Sequence, residues 1–169
     1  MLLVTVAAVF GVLLTLSLAN DNVDVNNSGN DGGSVNQQVN INNQDRTANI
    51  NQFNGWNSWD SICDYGNGYA ATRLYKKKIC VINKMKPNFP SLAQLKAISE
   101  NKAPPTTELT TYTINQKPIV NIEEFGSHIE ALCKGIPAYT AIELPQAEEG
   151  FALCHTNSMI TILGISFCF

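Results

Sequence analysis

Charge is scarce in this sequence, and histidine scarcer still. Of 169 residues 15% are charged, two are histidine, and the formal net charge is -3. A balance on the acidic side of neutral excludes nucleic acid as the main partner. His128 and His155 form no His-x-x-x-His pair, and none of the five cysteines falls at a Cys-x-x-Cys spacing, so no metal site is outlined and no cofactor is implied. Glu123-Glu124 and Glu148-Glu149 are adjacent pairs on solvated faces, too local to serve as acid and base across a cleft. Gly66-Asn67-Gly68-Tyr69-Ala70-Ala71 fits a dinucleotide-loop pattern, but a β-branched and aromatic strand follows instead of a helix N-terminus, so it reads as a turn. A nucleophile pair of Cys63 and His128 is a minor reading beside disulfide use. No catalytic constellation emerges, and the chain reads as non-enzymatic.

What is present begins with a leader. Met1 to Ala19 carries no charged side chain and ends Ser17-Leu18-Ala19, with small residues where signal peptidase cuts. A membrane anchor of about 18 residues is the alternative. It lacks flanking Lys or Arg to orient it, so residues 1–19 are read as a signal peptide and the mature chain as secreted, with no stable membrane anchor. Cys63, Cys80, Cys133, Cys154 and Cys168 then meet an oxidising compartment. Four can pair, leaving one as a free thiol or a link to another molecule.

Residues 20–52 are dominated by Asn, Gln, Gly and Ser. The first part, through Ser34, is expected to be a flexible tail. Beyond it Val35, Val39, Ile41, Ala48 and Ile50 flank Asn42-Asn43-Gln44-Asp45, which predicts a hairpin; an aggregation-prone tract is the competing reading. Asn26-Asn27-Ser28 is the single glycosylation sequon, making Asn26 the candidate acceptor.

Order is expected from Phe53. Trp56, Trp59 and Ile62 sit among Gly55, Asn57 and Ser58, suggesting a loop pinned by aromatics. Asp64 to Tyr69 contains the Asn67-Gly68 hairpin signal, followed by a strand to Tyr75, a charged turn at Lys76 to Lys78, and a strand from Ile79 to Met85. Arg73, Lys76, Lys77, Lys78, Lys84, Lys86 and Lys96 lie in a stretch free of Asp and Glu. It reads either as a basic face for an acidic partner such as a mucin glycan or as a solvated turn and strand edge.

Two helices carry capping signals. Ser91-Leu92-Ala93-Gln94 is a capping box with Leu92, Leu95 and Ile98 on one stripe. Asn121 to Glu124 repeats the box for a helix carrying Ile122, Phe125, Ile129 and Leu132, with Cys133 facing the core, stopped by Gly135 and Pro137. A loop from Lys102 to Glu108 and a strand from Leu109 to Ile114 lie between them. The apolar run from Ser158 to Phe169 reads as one central buried strand.

Laid out in this order, Trp56 to Ile62, Asp64 to Leu74, Lys77 to Met85 and Cys133-Lys134-Gly135-Ile136-Pro137-Ala138-Tyr139 resemble the gastrokines, secreted proteins of the gastric epithelium built on a BRICHOS domain. The pattern carried over is Asp64, Cys80, and Cys133 ahead of Pro137 and Tyr139. The resemblance implies an α+β fold, a BRICHOS-like antiparallel sheet flanked by two helices over residues 53–142, with residues 143–169 packed on it as a C-terminal strand region. It implies a Cys80 to Cys133 disulfide. Cys154 with Cys168 is the remaining pair, although a tight turn at Asn157-Ser158 would place Thr161 opposite Cys154, so a wider excursion is expected. Cys63, apolar in close relatives, is then the odd thiol, expected at the surface and available to a small cysteine-rich partner or mucin. Asp64 is expected to accept backbone amides at the first hairpin. The implied function is chaperone-like binding of aggregation-prone polypeptide, with gastric mucosal protection and restraint of epithelial growth; the alternative is a mucosal signalling or matrix component.

Overall fold

Alternation and turn chemistry account for most of the architecture. The computed structural model describes residues 20–28, 34–100, 109–143, 159–162 and 165–168. Among them are strands β1 (Asp21–Ser28), β2 (Ser34–Asn42), β3 (Thr47–Phe53), β4 (Trp59–Asp64), β5 (Tyr69–Leu74), β6 (Ile79–Lys84), β7 (Leu109–Pro118), β8 (Ala138–Glu143), β9 (Met159–Ile162) and β10 (Ile165–Cys168). Helices α1 (Leu92–Ser99) and α2 (Ser127–Cys133) accompany them, with 3-10 turns at Gly55–Asn57 and Ile122–Phe125. The strands join in the order β1-β2-β3-β4-β5-β6-β8-β7-β10-β9. The α+β class holds. The sheet is mostly antiparallel, but β6 with β8 and β7 with β10 pair in parallel. A parallel pair needs a long crossover, and the chain between β6 and β8 carries both helices.

Successive strand residues point to opposite faces, and each face has its own core. On one, Val39, Ile41, Ala48, Ile50, Trp59, Cys63, Ala70, Leu74 and Val81 pack with Leu95 and Ile98 of α1. On the other, Ile62, Ala71, Cys80 and Ile82 pack with Ile129 and Cys133 of α2. The Cys80–Cys133 disulfide, with Cα atoms 5.4 Å apart, ties α2 to that second face. Ser91 caps α1 through a complete capping box, as its spacing predicts. The expected hairpin of β2 and β3 forms, with Val39 opposite Ile50 and Ile41 opposite Ala48.

Five expectations are corrected. The tail through Ser34 contains β1, because Val23 and Val25 fall in register with Val39 and Gln37, the buried row of β2. The aromatic loop is a 3-10 turn followed by β4; Trp59 is buried in the sheet while Trp56 is 86% exposed and pins nothing. The second helix is broken at Gly126, whose φ of 103° a helix cannot contain, so Ile122–Phe125 is a separate turn. The strand read from Leu109 to Ile114 runs on to Pro118, its pairing with β8 shifting register between Ile114 and Pro118. The single central C-terminal strand is a pair: Ile165 lies opposite Ile162 and Cys168 opposite Met159, so the chain reverses within the apolar run, and β9 is the outermost strand. The leader, Lys102 to Glu108, Glu148-Glu149, Cys154 and His155 lie outside the described residues, and with Cys154 the second bridge to Cys168.

Candidate functional site

Asp64 ends β4 at the tip of the β4–β5 hairpin and faces α2, since it follows Cys63, which faces α1. Its carboxylate is 1% exposed. One oxygen, Oδ1, accepts the backbone N–H of Asn67 at 2.9 Å, and Oδ2 accepts Nδ2 of the same residue at 2.8 Å. The Asp64 carbonyl takes the Gly68 N–H at 2.8 Å, and the φ of 76° at Gly68 completes the turn that the Asn-Gly pair predicts. His128, in the first turn of α2, brings Nδ1 to 3.4 Å from Asp64 Oδ2 and Nε2 to 3.9 Å from Asp45 Oδ2. Asp45 belongs to the β2–β3 turn, held by Asn42, whose Oδ1 accepts the Asp45 N–H at 2.9 Å. The two turns are joined directly, Tyr65 N–H donating to Arg46 O at 3.0 Å. One carboxylate thus gathers two hairpin tips and a helix start.

Gly126 makes that convergence sterically feasible. A Cβ there would stand 2.4 Å from Asn67 Nδ2 and 3.3 Å from Asp64 Oδ2. Burial of Asp64 would raise its pKa, but the hydrogen bonds from the Asn67 side chain and backbone, with the His128 contact, outweigh it and hold the carboxyl below its ordinary range. Arg73 takes no part. Its guanidinium lies at the opposite end of α2, donating to Leu132 O at 2.7 Å and Lys134 O at 3.2 Å, where a cation satisfies the helix's last carbonyls.

The arrangement works as a latch. Cys63 lies on the other face of the sheet, so the Cys63 and His128 pairing is excluded by the β4 pleat. Among the described residues no group of His, Cys, Asp and Glu is placed to hold a metal. Cys63 is unpaired but 1% exposed, and burial pushes its thiol up to about 12. The expectation of a surface thiol is therefore corrected. The Ser- and Asn-rich context suggested solvent, but position 63 alternates in phase with Trp59 and Ser61, both buried in the same strand.

The basic stretch does not form one face. Arg73 caps α2, and Lys96 pairs with Asp21 of β1 at 2.7 Å, on the α1 side. Lys76, Lys77 and Lys78 remain together, exposed at the β5–β6 turn, with Lys76 Nζ 3.4 Å from Asn57 Oδ1 beside the exposed Trp56. Asp64 was the one member of the latch legible in sequence. Asn67 was visible only as a turn residue, His128 only as a rejected metal ligand and a minor partner for Cys63, and Gly126 was read through as helix.

Two further features bear on binding. Among the described strands β1 and β9 are the outer two of the sheet, and an outer strand offers one row of backbone N–H and C=O groups to a further strand. No helix among the described residues is long and apolar enough to cross a membrane.

Comparison with known proteins agrees with this layout. A BRICHOS domain matches residues 55–140. The chain is 41% identical to gastrokine-1 of Homo sapiens over 173 aligned positions, covering 96% of this chain and 93% of that protein. It is 39% identical to gastrokine-1 of Mus musculus, covering 95% and 93%, and 35% identical to gastrokine-2 of Rattus norvegicus, covering 98% and 96%. No solved structure matches significantly.

Proposed function

This chain belongs to the BRICHOS-domain gastrokine family, and from that premise we propose that it is a secreted, non-enzymatic protein that binds extended, β-prone polypeptide and keeps it from amyloid assembly. The observation that carries the reading is the open sheet edge at β9, whose sequence Met159-Ile160-Thr161-Ile162 is β-prone and whose described strand partner is β10 alone. Such an edge accepts an added strand through main-chain hydrogen bonds, a recognition mode tolerant of client sequence. Mucosal protection and restraint of epithelial growth are the physiological roles this activity would serve.

The test is fibril formation by a β-prone client followed by a fibril-binding dye, with and without the mature protein. Delayed assembly below equimolar ratio is expected. Thr161→Lys, which puts a charge on the outermost described C-terminal strand, is expected to lose most of the delay. Unaltered client kinetics with the unsubstituted protein would refute the reading.

The exposed Lys76, Lys77 and Lys78 beside Trp56 favour a second reading, attachment to an acidic mucin glycan, in which ammonium groups meet sulfate or carboxylate and the indole meets a sugar face. Retention on sulfated mucin that survives Lys76→Ala, Lys77→Ala, Lys78→Ala together would count against it. Attachment of mucin or a cysteine-rich partner through Cys63 requires the thiol to leave the core first.

A further inference from the structure

The register of the outermost N-terminal strand gives meaning to a motif that the latch and the β9 edge leave unused. β1 pairs with β2 so that Asp21, Val23 and Val25 lie opposite Ile41, Val39 and Gln37, all three of which are buried on the α1 side. The intervening positions form the other row: Asn22 opposite Asn40, Asp24 opposite Gln38, Asn26 opposite Asn36, Ser28 opposite Ser34. Asn22, Gln38 and Asn40 in that row are exposed, because α2, the helix on that face, packs over β4 and β5 and not over the first strands. Asn26 and Ser28, the acceptor and hydroxyl positions of Asn26-Asn27-Ser28, hold the register positions that continue this row, on a strand at the margin of the described sheet. A sequon one residue out of phase would have fallen in the row beneath α1.

We propose that Asn26 is N-glycosylated, and that the oligosaccharide closes the β1 edge to strand pairing with a second copy of this chain. The modification transfers an oligosaccharide from a lipid pyrophosphate donor. Asn26 Nδ2 bonds to the sugar C1, the C1–O bond to pyrophosphate breaks, the amide gives up one proton, and the lipid pyrophosphate leaves. The edge has reason to need closing. Its eight residues, Asp21-Asn22-Val23-Asp24-Val25-Asn26-Asn27-Ser28, have β2 as their one described strand partner, the form of edge that invites edge-to-edge association. A hydrated glycan at its sixth position blocks an incoming strand sterically while leaving β9, at the other end of the sheet, open to a client.

The inference rests on the secreted state proposed above, and its test separates the two. The full chain is expressed in mammalian cells, and protein from both medium and lysate is treated with peptide N-glycosidase and weighed by mass spectrometry. The expected result is loss of one oligosaccharide with conversion of Asn26 to Asp, absent from Asn26→Gln and also from Ser28→Ala, which retains the Asn26 side chain. Unmodified polypeptide in both fractions would overturn the proposal; a glycan on retained protein with none in the medium would sink secretion alone. Sedimentation velocity then reads the second half: the Ser28→Ala protein is expected to self-associate at about tenfold lower concentration than the glycoprotein. Equal association of the two would overturn the edge-closing role.

Discussion

The sheet divides into two regions built on different terms. Among the described residues β1 to β3 are covered on one face, by α1, while β4 to β6 are covered on both. The difference shows along a single row that crosses the boundary, where Asn49 of β3 lies opposite Ile62 of β4. Ile62 is buried under α2, and Asn49, one strand further out, is only partly covered. An Asn-rich composition is therefore no bar to sheet structure when its polar residues share one row and its Val, Ile and Ala share the other. Low apolar content reads as disorder when counted and as a half-buried sheet when its period is followed.

The largest expected effect lies in the doubly covered region. Cys80→Ala removes the crosslink between β6 and α2, which spans 53 residues of sequence. The chain-entropy model for a loop of that size predicts a loss of about 4 kcal/mol, read by denaturant unfolding under non-reducing conditions. A loss below about 1 kcal/mol would show that α2 is held by packing alone.

Next is the boundary row itself. Ile62→Ala is expected to cost about 2–5 kcal/mol by the cavity it leaves under α2. Asn49→Ala, its neighbour across the strand pair, is expected to stay within about 0.5 kcal/mol. Similar costs at the two positions would abolish the distinction between the regions.

The latch joins the regions, so its loss is expected to loosen their seam. Gly126→Ala places a methyl group against Asn67 and strains a positive φ, at an expected cost of about 1–3 kcal/mol. Because the Asp64 carboxyl is held below its ordinary range in the fold, its contribution is fully present above the unfolded-state value, about 3.9, and is lost as pH falls through the folded-state value. Thermal unfolding of the unsubstituted protein from neutrality down to about pH 3 is thus expected to show a fall that Asp64→Asn lacks. Parallel curves would mean that the carboxylate charge does not hold the seam.

The smallest effect concerns Cys63, on the α1 face where both regions share a core. With its thiol buried and pushed up to about 12, alkylation of the folded protein at pH 8 is expected to be negligible and to become complete in denaturant. Rapid labelling of native protein would show that the shared face opens.

Much of this arrangement is legible residue by residue. The Asn67-Gly68 turn, the Ser91 and Gln94 box, and the alternation of Val39 and Ile41 against Ala48 and Ile50 are each encoded within a few neighbouring positions, so the sequence by itself determined the β2–β3 and β4–β5 turns, the strands β2, β3, β5 and β6, and how the first helix begins. Family motifs marked Asp64, Cys80 and Cys133. Other features were decided only when distant segments met. Gly126 breaks a helix that its local pattern would continue, because Asn67 occupies the space a side chain would need. Cys63 is buried because its strand acquires covers on both faces, and β9 became an edge because β10 paired with β7 instead of entering the centre of the sheet. The partners of Asp64 come from its own turn and from a helix more than 60 residues away. Periodicity and turn chemistry act between neighbours along the chain, whereas burial, register at the sheet's margins and the environment of a charge are properties of contacts across it.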